Sequence, residues 1–238
     1  NKELKFKYIK YGIDSEKIGI KPNFYTGTAI EKPFRDSTVK LRYRNTKGEE
    51  KGSLASPLYV FSRGLIPYAG KQTVKLLVVY PTTVSKAGLE RFISYISTIF
   101  EGLNLGSIPN SEYCSYTYTP TNLSESLTSL EKTMQETLSL HSNKEYLPLV
   151  IIPDNEKFYE LSKGVASNKG FHTQLVTLET FSNAVRYLSK IEDRETPNKV
   201  RKRLENILKT LIANICGGIY VEFLIQKNKA ENNVSGPL

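Results

Sequence analysis

The sequence predicts an α/β protein, with a central parallel sheet flanked by helices and a β-rich region ahead of it. Three observations carry this reading. The apolar runs 74-VKLLVVY-80 and 147-LPLVII-152 have the texture of strands buried on both faces. Helical periodicity follows the first run in Leu89, Phe92, Ile93, Ile96, Ile99 and Phe100, and follows the second over 156–168. Strands and helices then keep alternating, which is the pattern of a sheet covered on both sides.

Taken in order, residues 1–70 read as a basic, β-rich linker region. In 39-VKLRYR-44, Val39, Leu41 and Tyr43 alternate with Lys40, Arg42 and Arg44, and the turn NTKG follows. The basic face suits either a solvated edge strand or a surface turned toward nucleic acid. Residues 71–226 form the main domain. After 74–80 and its helix come a strand over 113–118, a helix over 123–141 and the strand 147–152. A helix over 156–168, a strand over 171–176, a short helix near 180–190 and a long helix over 197–216 follow. A last strand is expected at 219-IYVEFLI-225, and 227–238 reads as a polar, loose tail.

The 238 residues are 39% hydrophobic and 24% charged, which fits a soluble globular chain. Apolar runs such as 149-LVII-152 are too short to cross a bilayer, so no membrane partner is expected. The charged start NKELKFKYIK does not read as a signal peptide, and a cytoplasmic location is expected. Cys114 and Cys216 form neither a disulfide framework nor a metal-ligand spacing, and with His141 and His172 the only histidines no zinc site is expected. The formal net charge of +9 favours polyanionic partners. Residues 1–70 hold 14 Lys/Arg against 7 Asp/Glu, and 196–216 hold 5 against 1, so the basic charge lies toward the two ends of the sequence.

The stretch 149-LVIIPDNEKFYELSKG-164 concentrates the chemistry. Pro153 ends a strand, Asp154 or Asn155 can cap the next helix, and Tyr159 and Lys163 share a face one turn apart. A helix N-terminus and a lysine suit a phosphate, and an aromatic ring suits an attached base. A Tyr and a Lys so spaced also suit an ordinary solvated pair. Gln174, near the end of the next strand, can hydrogen-bond a phosphate oxygen. On the long helix Val200, Leu204, Ile207, Leu208, Leu211, Ile212 and Ile215 form an apolar arc. Lys199, Lys202, Arg203, Asn206 and Lys209 lie opposite as a basic surface, interrupted only by Glu205. The pair in 216-CGG-218 reads as the end of that helix.

In order and spacing these segments, over roughly 55–225, resemble the MID domain of prokaryotic Argonaute and PIWI-family proteins together with its preceding linker. The matching parts are 149-LVIIP-153, the loop 154-DNEKF-158, Tyr159 with Lys163, Thr173 with Gln174, and a helix ending in Gly-Gly before a strand. The resemblance implies a Rossmann-like domain that holds the 5′ end of a single-stranded guide, RNA or DNA. Tyr159 would stack on the first base. Lys163, Gln174 and the Leu175 backbone N–H would hold the 5′ phosphate, with Lys209 and Asn214 nearby. Asp154, Asn155, Glu156, Lys157 and Phe158 would sense the first base. Mg2+ at the phosphate is implied as well, although the sequence offers no dedicated carboxylate ligands. Where the family carries further lysines before Gly-Gly, this chain has Leu211 and Ile215, or Thr210 and Asn214 in the neighbouring register. That departure points to a weaker phosphate site, a rebuilt one, or one specific for an unphosphorylated end. The family's nuclease aspartates lie in a PIWI domain, which would follow residue 238 or belong to a companion chain, so binding without catalysis is expected here.

Two other functions fit parts of the sequence. One is a Rossmann-like protein-interaction module with a generic basic nucleic-acid-binding surface. The other is a short-chain-dehydrogenase-like enzyme using Tyr159 and Lys163, but 81-PTTVSKAG-88 lacks the Gly-rich turn that admits a dinucleotide.

Overall fold

The structure, a computed structural model, describes residues 41–45, 47, 49–53 and 65–232. Most of the expected linker region, residues 1–40 and 54–64, lies outside the described residues, as do 233–238 of the expected tail. Within the linker, β1 (Leu41–Arg44) pairs antiparallel with β2 (Glu50–Ser53) and with β3 (Ile66–Pro67). Asn45 shapes the turn between the first two, because its side-chain oxygen accepts from the backbone N–H of Lys47 and of Glu49, each at 3.0 Å.

The main sheet is parallel, as the sequence predicts. Its strands are β5 (Lys75–Pro81), β7 (Glu112–Tyr116), β8 (Tyr146–Ile152) and β9 (Gln174–Thr177), in the order β7-β5-β8-β9. Two short strands, β4 (Gln72–Thr73) and β6 (Gly106–Ser107), pair beside it. Helices α1 (Lys86–Gly102), α2 (Leu123–Ser139), α3 (Glu156–Asn168) and α4 (Leu178–Glu192) link the strands and lead to α5 (Asn198–Asn232). Ser85, Asn122, Asn155 and Thr177 cap the first four, each side chain accepting an N–H of the first turn.

Each strand of the centre serves two cores. Leu76, Val78, Leu149 and Ile151 pack with α1, α4 and α5, whereas Leu77, Val79, Val150 and Ile152 pack with α2 and α3. That double burial is why β5 and β8 are apolar throughout rather than alternating. The strand order reverses between β5 and β8, so the carboxyl end of β8, residues 153–155, opens at the place where such sheets admit ligands.

Two expected strands differ. The strand expected over 171–176 begins only at Gln174. The backbone N–H of His172 donates to Gln226 Oε1 at 2.9 Å and the Thr173 hydroxyl donates to the Pro148 carbonyl at 2.9 Å, so 172–173 satisfy their polar groups outside the ladder. The strand expected at 219–225 is absent altogether: α5 runs unbroken through Gly217 and Gly218 to Asn232, and residues 227–232 of the expected tail are its last turns. The physical reason is burial. Leu208, Ile212, Ile215, Cys216, Ile219, Tyr220 and Phe223 are buried in one stripe, while Val221 and Ile225 are exposed, which is a period near 3.6 and not 2. Packing that stripe outweighs the cost of about 1 kcal/mol for each mid-helix glycine. Of the predicted apolar arc, Val200 and Ile207 are instead exposed. Among the described residues α5 is the one helix long and apolar enough to cross a membrane, yet its buried stripe already faces the sheet.

At the amino end of the sheet, Glu112 accepts from the Tyr146 hydroxyl at 2.7 Å and lies 2.8 Å from His141 Nε2, while His141 Nδ1 is 2.7 Å from the Thr137 carbonyl. Burial lowers the His141 pKa, but the Thr137 carbonyl and the Glu112 carboxylate outweigh it and the net shift is upward. The Tyr146 hydroxyl and then His141 hold Glu112 below the usual carboxylate range. A histidine whose pKa rises on folding stabilises the fold while protonated. That contribution is complete below about pH 6.5 and is lost as pH rises through the folded value. The melting temperature should therefore fall between pH 6 and pH 8, and His141→Gln should flatten that part of the profile. A second expectation concerns Gly106, whose φ of 135° and close approach to the Gln72 backbone leave no room for a Cβ. Gly106→Ala should cost about 3 kcal/mol in urea unfolding.

Candidate nucleic-acid interface

Ile152 is the last residue of β8, and Pro153 directs the chain out of the sheet. Asn155 caps α3 by accepting from the Lys157 N–H at 3.0 Å. Phe158 then turns inward, fully buried with its ring edge-on to Tyr118 at 6.1 Å. With the helix pinned by that ring, Tyr159 points outward and is 52% exposed. Lys163 follows one turn later on the same face.

The expected base-sensing loop therefore divides. Asp154, Glu156 and Lys157 are exposed, Asn155 is occupied as a cap, and Phe158 is a core residue that presents nothing to a ligand. Lys163 reaches from α3 toward β9, whose outer edge pairs with no strand among the described residues.

Lys163 bends across that edge. Its ammonium donates to the Thr173 carbonyl and, at 3.1 Å, to the Glu222 carboxylate of α5. The other Glu222 oxygen lies 3.3 Å from His172 Nδ1. Glu222 thus sits between two basic side chains, half-buried. The Gln174 carboxamide donates to the Leu175 carbonyl at 3.3 Å. Gln174 also lies against Gly218: a Cβ on that glycine would overlap the carboxamide.

Below this corner Gln226, itself buried, fastens α5. It accepts from the His172 N–H and donates to the Asn143 carbonyl and, at 2.6 Å, to the Tyr146 carbonyl. Three hydrogen bonds thus fix the height at which Gly218 and Glu222 meet Gln174 and Lys163.

The structure brings Lys163, Gln174 and Glu222 to the edge of β9 around the Thr173 and Leu175 carbonyls, while Tyr159 is exposed one turn before Lys163 on α3. Asn214 joins them by helix geometry, exposed and one turn before Gly218 on the face that carries Glu222. Lys209 does not. It lies nine residues before Gly218, about 13 Å along the axis, and pairs with Glu205 at 2.7 Å. Lys199, Lys202 and Arg203 are exposed still farther along, in the first turns of α5. Basic side chains there oppose the helix dipole, and the first turn of α5 has no acidic residue.

Sequence reasoning missed Glu222 and Gln226 because it placed 219–225 in a strand. Extending the 3.6 period past Gly218 would have aligned Asn214, Gly218 and Glu222 on one face. The donor set does not suit the implied Mg2+. Glu222 is already engaged by Lys163 and His172, and among the described residues no three His, Cys, Asp or Glu side chains gather as a metal site.

No family model matches the chain, and no curated protein matches it. Among solved structures it is similar to the Argonaute protein from Methanocaldcoccus janaschii, with 11% identity and a TM-score of 0.41 over 64% of this chain. The match takes in 25% of that protein, so the chain spans about a quarter of its length.

Proposed function

We propose that this chain binds the end of a single nucleic-acid strand, as the guide-anchoring part of an Argonaute-like protein, at the corner formed by α3, the outer edge of β9 and α5. The observation that carries this reading is Tyr159. Its ring is 52% exposed on a helix whose neighbouring Phe158 is locked in the core, so the ring is held outward at the carboxyl end of the sheet. It offers a stacking platform for the terminal base, and stacking is indifferent to base identity. Gln174, the Leu175 N–H and Asn214 supply hydrogen bonds for the terminal nucleotide. The basic start of α5 supplies a separate, sequence-independent attraction for backbone phosphates. The chemistry is binding, with no bond made or broken by these residues. A PIWI domain, in the same or a companion chain, would complete the assembly.

A protein-interaction module with a generic basic surface is the competing reading, and the exposed Val221 and Ile225 of α5 favour it. Titration with linear single strands and with a circular strand of the same composition separates the two. End binding requires the linear strand to bind more tightly, and equal affinity at every salt concentration rejects it. Binding of a nicotinamide cofactor would instead support the dehydrogenase alternative.

Tyr159→Ala should weaken the linear strand by about 5- to 150-fold, the equivalent of roughly 1–3 kcal/mol of lost stacking, and leave the circular strand unchanged. Gly218→Ala separates folding from binding. The substitution favours the helix by up to about 1 kcal/mol and displaces only the flexible end of Gln174. The melting temperature should hold or rise while linear-strand affinity drops.

A further inference from the structure

Resting on that reading of the site, we propose that Glu222 makes it selective for a strand whose 5′ end is a hydroxyl and not a phosphate. The distinguishing observation is where the carboxylate lies. Glu222 engages the Lys163 ammonium at 3.1 Å and approaches His172 Nδ1 at 3.3 Å, with its side chain 23% exposed. Lys163 is the cation that a terminal phosphate would need, and its charge is already balanced by an anion of the protein itself.

A phosphate monoester carries a charge of about −1.5 to −2 at pH 7. At this corner it would have to displace Glu222 from Lys163 or lie beside it. The first leaves a half-buried carboxylate without its cation, and the second sets two anions side by side. Ahead of Glu222 on α5 the described residues near this corner supply no replacement charge. Ile215 is buried, Leu211 is apolar, Thr210 and Asn214 are neutral, and Lys209, about three and a half turns before Glu222, is paired with Glu205, while Lys227 beyond it donates to Gln72.

A 5′ hydroxyl meets complementary groups instead. It carries one donor hydrogen and two lone pairs. The Glu222 carboxylate accepts the hydrogen, and the Gln174 carboxamide or the Lys163 ammonium donates to the oxygen. The terminal group adds no charge, so the Lys163–Glu222 pair stays intact. Gly218 belongs to the same arrangement, since its missing Cβ lets Gln174 lie close to α5, one turn before Glu222 along the helix.

The test uses three single strands of one sequence, in DNA and in RNA: 5′-hydroxyl, 5′-phosphate and circular. The two linear strands have identical 3′ ends. Affinities are measured by competition against a labelled 5′-hydroxyl strand. The wild-type chain should bind the 5′-hydroxyl strand at least tenfold more tightly than the 5′-phosphate strand, and both more tightly than the circle. Glu222→Gln keeps the shape and removes the charge, and should shift the hydroxyl-to-phosphate ratio at least tenfold toward phosphate. Its melting curve reports whether it folds; should it not, the wild-type ratio decides by itself. A wild-type preference for the 5′-phosphate strand overturns the role of Glu222 while leaving end binding in place. Equal binding of all three strands removes end binding itself. A ratio unchanged in folded Glu222→Gln assigns the selectivity to other groups and overturns the inference.

Discussion

The packing of α5 on one face of the sheet is the constraint on which the rest depends. This helix covers strands β5, β8 and β9 together with α1 and α4, through Leu208, Ile212, Ile215, Ile219 and Phe223. At roughly 1.5–3 kcal/mol for each fully buried large apolar side chain, that stripe outweighs two helical glycines several times over. The helix therefore continues where its local sequence suggests a stop. The meeting of α5 with α3 and β9 is a consequence of that continuation. Gly218 faces Gln174 and Glu222 reaches Lys163 because the same rigid rod carries both past the edge of β9.

The edge of β9 is a second constraint, and it explains why polar side chains gather there. An open strand edge carries backbone donors and acceptors that must be satisfied or left to solvent. Lys163 covers the Thr173 carbonyl, Gln174 covers the Leu175 carbonyl, and Gln226 takes the His172 N–H. These contacts protect the edge from pairing with another chain. They also hold an ammonium, an amide and a carboxylate in fixed positions around one short stretch of backbone, which is what a binding site requires. In the proposed function, fold protection and recognition draw on the same groups.

Charge is distributed unevenly along α5. Its first turns carry Lys199, Lys202 and Arg203 in solvent, where they act as a diffuse attraction weakened by salt. About five turns later Glu222 faces the Lys163 ammonium at 3.1 Å and His172 Nδ1 at 3.3 Å. In the proposed function, attraction for a polyanion and discrimination at its terminus belong to different parts of one helix, about 28 Å or more apart along the axis.

Much of the architecture was legible from the amino acids alone. The doubly buried strands β5 and β8 announce themselves as unbroken apolar runs, and α3 spans the expected 156–168 with Asn155, one of the two cap candidates, as its cap. That Tyr159 and Lys163 share a face follows from helix geometry, which is local, whereas the inward turn of Phe158, expected in a base-sensing loop, was not read from the sequence. The path of α5 was not legible. Gly-Gly followed by 219-IYVEFLI-225 has the local preferences of a turn and a strand, and only the sheet face waiting for Ile219, Tyr220 and Phe223 reverses that preference. The identity of the Lys163 partner was equally hidden, since Glu222 lies 59 residues away in sequence. Local periodicity determines which side chains an element presents. Which of them meet is decided by long-range burial, and a single sequence carries no direct record of that.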